Sequence, residues 1–162
     1  MKKIKNPWSH HEGFDCFACA PHNPVGLHLD FYEDGDEIVS HWHPSKHYQG
    51  WVNTLHGGII STLADEIAAW VVARKLQAAG VTTRLNVTFR RPLLTTDTEI
   101  SLRAHLVSQR RNIATIHVSI SNSQGELCAE AEIVYYVMSE EKSHEMGFDG
   151  CRLEDESKSA TT

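Results

Sequence analysis

The stretch that decides the fold runs from residue 57 to residue 79 and reads GGIISTLADEIAAWVVARKLQAA. At about 100° per residue, its larger apolar side chains fall in one stripe, the pattern of a helix with one face in a core. The stripe consists of Ile59, Ile60, Leu63, Ile67 and Val71. Gly80 follows where a helix C-cap is typical, so the sequence predicts one long helix over 57–79.

Strand patterns lie on both sides of this helix. Residues 27–33 alternate apolar and polar, 34–36 form a turn, and 37–43 return, which predicts a hairpin. Further strands are predicted at 81–90, 99–109, 113–122 and 126–138. Short connections imply antiparallel neighbours. One helix cannot cover both faces of such a sheet, so we predict an α+β fold with about six antiparallel strands curled around the helix.

Length and composition restrict the class of protein. The 162 residues suffice for one domain, predicted at 27–138, after an irregular lead-in at 1–26 and before a polar, mobile tail at 139–162. A net charge of −6 disfavours nucleic-acid binding. Charges interrupt the apolar helix, which is therefore not a membrane span, and no secretory signal is apparent. The expected compartment is the cytoplasm.

Asp65 lies opposite the apolar stripe of the predicted helix. Its neighbours at helical spacing are small or apolar, which suits a helix whose back approaches another subunit or a ligand. The helix begins at Gly57-Gly58, where free amides and the positive end of the dipole could face a carbonyl oxygen that develops negative charge. Spacing alone leaves another interpretation open, with turn glycines and a solvated aspartate.

The run from His56 to Glu66, HGGIISTLADE, closely resembles the signature of hotdog-fold thioesterases of the phenylacetyl-CoA thioesterase (PaaI-type) branch. The segment Cys16-Phe17-Ala18-Cys19, with Asn23-Pro24-Val25-Gly26-Leu27, resembles the N-terminal motif of one subgroup. Residues 81–92 resemble the strand that follows the helix in this family. The resemblance covers roughly residues 14–138.

The resemblance implies a site shared between paired subunits. The Gly57 amide, together with Gly58, would polarise the thioester carbonyl, and Asp65 of the partner would act as general base or nucleophile. His56 would orient the loop or bind near the thioester, and Thr82 or Thr83 would place the water. Many members carry Asn six residues before the histidine and Gly three before it. Those positions are Gly50 and Asn53 here, so Asn53 is the candidate polar residue of the loop.

Substrate-binding residues are predicted around this motif. Arg90 and Arg91 are candidates for the phosphates of coenzyme A, although arginines at a strand end also serve solubility. Trp51, Ile60 and Thr62 are candidates for the acyl pocket.

Cys16-x-x-Cys19, with His22 and His28 nearby, is only half of a typical zinc site. We therefore expect no metal and no cofactor other than the coenzyme A of the substrate.

The leading hypothesis is an acyl-CoA thioesterase for small to medium acyl or aryl-acyl groups, working as a dimer or dimer of dimers, with neither nucleic acid nor membrane as partner. A non-catalytic acyl-CoA-binding hotdog protein is the alternative, motivated by the departures at Gly50 and Asn53. A hotdog dehydratase fits less well, because those enzymes typically lack the His-Gly-Gly-to-Asp run.

Overall fold

The computed structural model describes residues 1–156 of the chain. The strands are β1 Lys2–Lys3, β2 Tyr32–Asp34, β3 Glu37–Trp42, β4 Gln49–Trp51, β5 Thr54–Leu55, β6 Gly80–Phe89, β7 Ile100–Arg110, β8 Ile113–Ser121 and β9 Leu127–Val137. The α-helices are α1 Gly57–Lys75 and α2 Glu140–Glu145. A 3₁₀ turn at Lys46–Tyr48 precedes the small β4–β5 hairpin.

The main sheet is antiparallel and packs around α1. Its seven strands run in the order β1-β2-β3-β7-β8-β9-β6, and the helix contacts β3 and each of the strands from β6 to β9. Leu63, Ile67 and Val71 of the helix are completely buried. The predicted α+β hotdog architecture is confirmed. The sheet has more than the predicted six strands, because residues 2–3 of the expected irregular lead-in pair with β2.

The helix ends earlier than predicted. It stops at Lys75, and Gly80 opens β6 instead of capping the helix. Gln77 reverses the chain with a positive φ of 51°. Its side-chain amide donates to the carbonyl of Arg74 at 2.9 Å, and its side-chain oxygen accepts from the Cys151 amide at 3.0 Å. A distant segment of the chain therefore stabilises this reversal without a glycine.

Residues 27–31 lie outside the sheet, although their alternation is as predicted. The amides of Leu27 and Leu29 donate to the carbonyls of Phe17 and Ala18, at 2.8 and 2.9 Å. Leu27, Leu29 and Phe31 are buried. The N-terminal segment supplies the backbone partners that a neighbouring strand would otherwise give, so the regular strand begins only at Tyr32.

The segment after β9 differs from the predicted polar, mobile tail. It forms α2, and Phe148, Cys151 and Leu153 then bury their side chains in the core. Leu153 also forms a β-bridge with Ile4. These apolar residues are widely spaced among charged ones and show no periodicity. The remainder of the predicted tail, 157–162, lies outside the described residues, and the proposed domain boundaries stay predictions.

Neither helix in the described part of the chain has the combined length and apolar character that crossing a membrane requires.

An ion-pair cluster fixes the C-terminal end of α1. Arg74 Nε lies 2.9 Å from Glu33 Oε2, and Lys75 Nζ lies 2.8 Å from the same oxygen. Arg74 also donates to the Cys151 carbonyl at 2.8 Å. Hydrogen bonds from Arg74, and then from Lys75, lower the pKa of Glu33 from 4.5 to about 2.

This pKa shift makes the cluster a pH-dependent contribution to stability. A carboxyl group whose pKa falls on folding stabilises the protein when the pH is above its unfolded-state pKa. This stabilisation is lost as the pH drops toward the folded-state pKa. We expect Glu33→Gln to lower the free energy of unfolding by about 1–2 kcal/mol at pH 7 and by much less at pH 3. Urea unfolding at both pH values measures this difference.

Glu145→Gln is the matched control for this prediction. Glu145 pairs with Lys142 at 3.1 Å on the surface of α2, with both side chains more than half exposed (56%). Its removal should cost less than about 0.5 kcal/mol. An equal loss of stability for Glu33→Gln at pH 7 and pH 3 would contradict the electrostatic explanation.

Candidate active site

The N-terminus of α1 presents backbone amides toward the surface. His56 is the N-cap, with extended backbone angles, and its Nδ1 accepts from the Gly58 amide at 2.8 Å. Its carbonyl accepts from the Ile60 amide at 3.1 Å. Among residues 1–156, the Gly57 amide has no hydrogen-bond acceptor. Of the two amides predicted to polarise a carbonyl, Gly57 is therefore the one available to a ligand.

Phe89 borders this amide. A Cβ placed on Gly57 would lie 3.5 Å from the Phe89 ring, and this ring is 53% exposed. The helix start therefore lies beside an apolar side chain at the end of β6, on an edge strand of the sheet.

Asp65 is held by two hydroxyl groups from the sheet. Thr82 donates to Asp65 Oδ1 at 2.7 Å. The Tyr135 hydroxyl lies 2.8 Å from the same oxygen and 2.8 Å from the Asp65 backbone carbonyl. Asp65 is half-buried, and its Oδ2 has no protein donor among residues 1–156. One carboxylate oxygen is thus fixed, and the other is free for a water molecule or a substrate.

The structure distinguishes between the two candidate threonines. Thr82 pairs with Tyr135 of β9, but the register shifts between Thr82 and Arg84. Thr83 is therefore the extra residue of a β-bulge, and its hydroxyl donates to the Val134 carbonyl at 3.0 Å. Only Thr82 reaches Asp65.

Tyr135 is a site residue that the sequence reasoning missed. Burial and the nearby Asp65 charge raise the pKa of its hydroxyl well above the usual value of 10.0, so it remains a donor at physiological pH. The alternation of apolar and polar residues in β9 does indicate that Tyr135 faces the inside of the sheet. Only the strand register, however, shows that its hydroxyl meets Asp65 of the helix.

Within one protomer, Asp65 and Gly57 are separated along the helix. Eight positions at 1.5 Å each place them about 12 Å apart. This distance is too long for both groups to act on the same thioester carbon, since reacting groups lie about 3 Å apart. A site that uses both needs the Gly57 of one chain and the Asp65 of another.

Glu66 follows Asp65 but faces a different environment. Its Oε1 accepts from the Trp70 indole at 3.0 Å, and burial raises the pKa of its carboxyl. Trp70 in turn stacks on Phe31, with ring centroids 4.3 Å apart. On this side the helix contacts the N-terminal segment, where Cys16 Sγ lies 3.8 Å from Glu66 Oε1.

The loop residues predicted at the site lie on the β4–β5 hairpin. Asn53 has a positive φ of 62°, and its carbonyl accepts from the Thr95 amide at 2.9 Å. Trp51 is 78% exposed at the tip of the hairpin. A Cβ on Gly50 would lie 3.2 Å from the Cα of His56. Glycine at position 50 thus lets the hairpin pack closely on the N-cap, and Asn53 serves as its turn residue.

The two helix residues predicted for the acyl pocket, Ile60 and Thr62, lie in different environments. Ile60 is buried in the core at 4% exposure, so within this protomer it lines no acyl pocket. Thr62 donates to the Gly58 carbonyl at 2.9 Å and borders an open cavity of about 350 Å³. The other residues lining this cavity are His47, Tyr48, Gln49, His56, Gly58 and Ile59.

The arginine pair at the end of β6 is partly neutralised. Arg90 Nε forms an ion pair with Glu130, and this lowers the pKa of the Glu130 carboxyl. Arg91 is 64% exposed, and its Nη1 lies 4.0 Å from Glu126. Arg91 is therefore freer to meet a phosphate than Arg90.

Comparisons with known proteins agree with this architecture. Residues 52–129 match the model of the family described as Thioesterase superfamily. Over 97 residues the chain is 27% identical to acyl-coenzyme A thioesterase 13 of Mus musculus, covering 59% of this chain and 69% of the relative.

Solved structures show the same fold. The E. coli PaaI protein from the phenylacetic acid degradation operon superposes with a TM-score of 0.63 at 21% identity, over 70% of this chain and 81% of that one. A hypothetical thioesterase with coenzyme A from Streptococcus pneumoniae gives 0.64 at 21% identity, over 68% and 89%. Residues 52–129 are thus similar to the thioesterase superfamily, and the likeness to the solved structures shows the hotdog fold.

Proposed function

We propose that this protein hydrolyses acyl-coenzyme A thioesters with small to medium acyl or aryl-acyl groups. The observation that carries the proposal is the Asp65 carboxylate, fixed through Oδ1 by Thr82 and Tyr135 and free at Oδ2. A curated relative is named acyl-coenzyme A thioesterase 13, and one structural neighbour was solved with coenzyme A.

In the proposed reaction, the free oxygen of Asp65 takes a proton from water, and the water oxygen bonds to the thioester carbon. The Gly57 amide of the partner stabilises the negative charge on the carbonyl oxygen. The C–S bond then breaks, and coenzyme A leaves as a thiolate that is protonated to the thiol. In the alternative route, Asp65 attacks the carbon itself and water hydrolyses the resulting anhydride. Neither route uses a metal or an organic cofactor.

The edge of the sheet supports a homo-oligomer. Within residues 1–156, β6 pairs with β9 alone, so its outer backbone groups are available to another strand. Leu85 and Phe89 are paired with buried residues of β9, on the face turned toward the helix. They are nevertheless 39% and 53% exposed. Pairing of two β6 edges would cover these side chains and bring a second helix toward Asp65.

Thiol release tests the proposed activity directly. The purified chain is incubated with a series of thioesters from acetyl- to long-chain acyl-CoA, together with phenylacetyl-CoA, and free coenzyme A is measured over time. We expect turnover with the shorter or aryl substrates. A protein that binds these esters and releases no thiol from any of them would disprove the proposal.

The hydroxyl of Thr82 gives a finer prediction about the site. Thr82→Val keeps the side-chain shape but removes a hydrogen bond to a charged group, which is worth about 1.5–3 kcal/mol. We expect kcat to fall at least about tenfold, with KM changed much less. Thr83→Val is the matched control and should change kcat less than about twofold, because its hydroxyl bonds only to the Val134 carbonyl. Equal effects of the two variants would contradict the assignment.

A second candidate function is acyl-CoA binding without hydrolysis. Gly50 favours this alternative. Many members of the family carry asparagine at this position, whereas here only backbone, and no side-chain amide, lies against His56. Under this alternative, coenzyme A esters bind but no thiol is released.

Arg91 is the side chain that we propose contacts the phosphates in either case, because Arg90 is paired with Glu130. The cytoplasmic location stays a prediction.

A further inference from the structure

The N-terminal segment places two thiols against α1, beside Glu66. Cys16 Sγ lies 3.8 and 3.9 Å from the two carboxylate oxygens of Glu66. Cys19 is buried at 4% exposure. One ligand atom from each of Cys16, Cys19 and Glu66 lies within 4.8 Å of the other two. Two sulfurs and one carboxylate oxygen therefore converge on one small volume.

Two of these three groups, Glu66 and Cys19, are oriented by neighbours outside the cluster. The Trp70 indole donates to Glu66 Oε1 at 3.0 Å, and the Asn6 amide lies 3.6 Å from Cys19 Sγ. In metal sites, hydrogen bonds of this kind, from groups that do not themselves bind the metal, hold the ligand side chains in position. No ion pair found among residues 1–156 involves Glu66. Its carboxylate is half-buried, and a bound metal ion would supply a positive charge beside it.

We propose that Cys16, Cys19 and Glu66 form a site for a thiophilic divalent cation, with Zn²⁺ as the preferred ion. Tetrahedral zinc, with bonds of about 2.3 Å to sulfur and about 2.0 Å to oxygen, requires ligands roughly 3.5–3.8 Å apart. The distances of 3.8 and 3.9 Å between Cys16 Sγ and the Glu66 oxygens exceed the sulfur–oxygen spacing of about 3.5 Å in such a site by only a few tenths of an ångström. Thiolate ligands select zinc over the harder calcium and magnesium ions.

All three side chains line a cavity of about 300 Å³, which would leave room for a further ligand on a bound ion. Trp8, Phe14 and His11 also border it, so a water molecule has access to the ion. A site with three protein ligands and one open position is a known arrangement for zinc. The described structure thus provides both the ligands and a route to them.

The sequence expectation of no metal rested on the search for a second cysteine pair or for histidines. The fold supplies a carboxylate from the helix instead. His22 and His28 are engaged elsewhere, with the carbonyls of Phe14 and Asn23 at 2.8 and 2.5 Å. The ion would join the N-terminal segment to α1 beside Asp65 and take no part in thioester hydrolysis. This inference does not depend on the proposed function.

Metal content and cobalt substitution test the site. Wild-type protein is equilibrated with Zn²⁺, freed of unbound metal and analysed by elemental mass spectrometry, beside Cys16→Ser, Glu66→Gln and the control Cys128→Ser. Cys128 is a free, buried cysteine in β9, away from the cluster. We expect about one zinc per protomer in wild type and control, and at least roughly tenfold less in Cys16→Ser.

Cobalt provides a readout that needs no variant. Co²⁺ bound by two thiolates in tetrahedral geometry gives intense charge-transfer and d–d absorption, and we expect both bands to disappear on addition of excess Zn²⁺. Wild-type protein that binds neither ion would overturn the proposal, as would zinc in Cys16→Ser equal to wild type. Recovery of only two of the four thiols after denaturation in chelator would also overturn it, because it would show a disulfide instead.

Discussion

Replacing Asp65 with asparagine is expected to lower kcat for acyl-CoA hydrolysis roughly a thousandfold, since general-base or nucleophilic groups contribute about 10²–10⁴. Asparagine has the same shape, and its side-chain oxygen can still accept from Thr82 and Tyr135. Its amide nitrogen would occupy the position of Oδ2 and cannot take a proton. The variant should therefore fold and bind coenzyme A esters with little change in affinity.

The measurement is thiol release under single-turnover conditions, together with equilibrium binding of coenzyme A and thermal unfolding. Asp36→Asn is the matched control, because Asp36 is exposed in the turn between β2 and β3. It should leave turnover within about twofold of wild type. If Asp65→Asn hydrolyses substrate as fast as the control, the carboxylate is not the reacting group.

Gly57→Pro is expected to lower kcat by about 10²–10³, the effect of removing one donor to a developing oxyanion. Proline removes the Gly57 N–H but is well tolerated at the first residue of a helix. The preceding residue must be extended, and His56 already has φ −61° and ψ 131°. No protein hydrogen bond among residues 1–156 is lost, because the Gly57 amide has no acceptor there.

Mixing the two variants tests whether chains share the site. In a dimer of one Asp65→Asn chain and one Gly57→Pro chain, one of the two sites keeps both an intact aspartate and an intact amide. Random exchange makes half of the dimers mixed, so about a quarter of wild-type activity should return. Gly57→Ala is the control for side-chain size and keeps the amide. No recovery from folded, exchanging dimers would show that both groups do not serve one shared site.

The sequence by itself determined the long helix and the four strands after it. These features depend on local periodicity, and β6 to β9 begin and end within about one residue of the predicted limits. The resemblance to hotdog thioesterases identified the fold, which is confirmed, and residues 52–129 are similar to the thioesterase superfamily. The catalytic and binding roles of the site residues stay predictions.

Tertiary structure alone decided which side chains from distant parts of the sequence come into contact. A β-bulge after Thr82 turns Thr83 away from Asp65, and strand register brings Tyr135 to the same carboxylate. The last residues described return to cover the helix end at Gln77, and the N-terminal segment brings Cys16 to Glu66, 50 positions along the chain. Such contacts depend on register and on packing between distant segments, which local propensity does not encode.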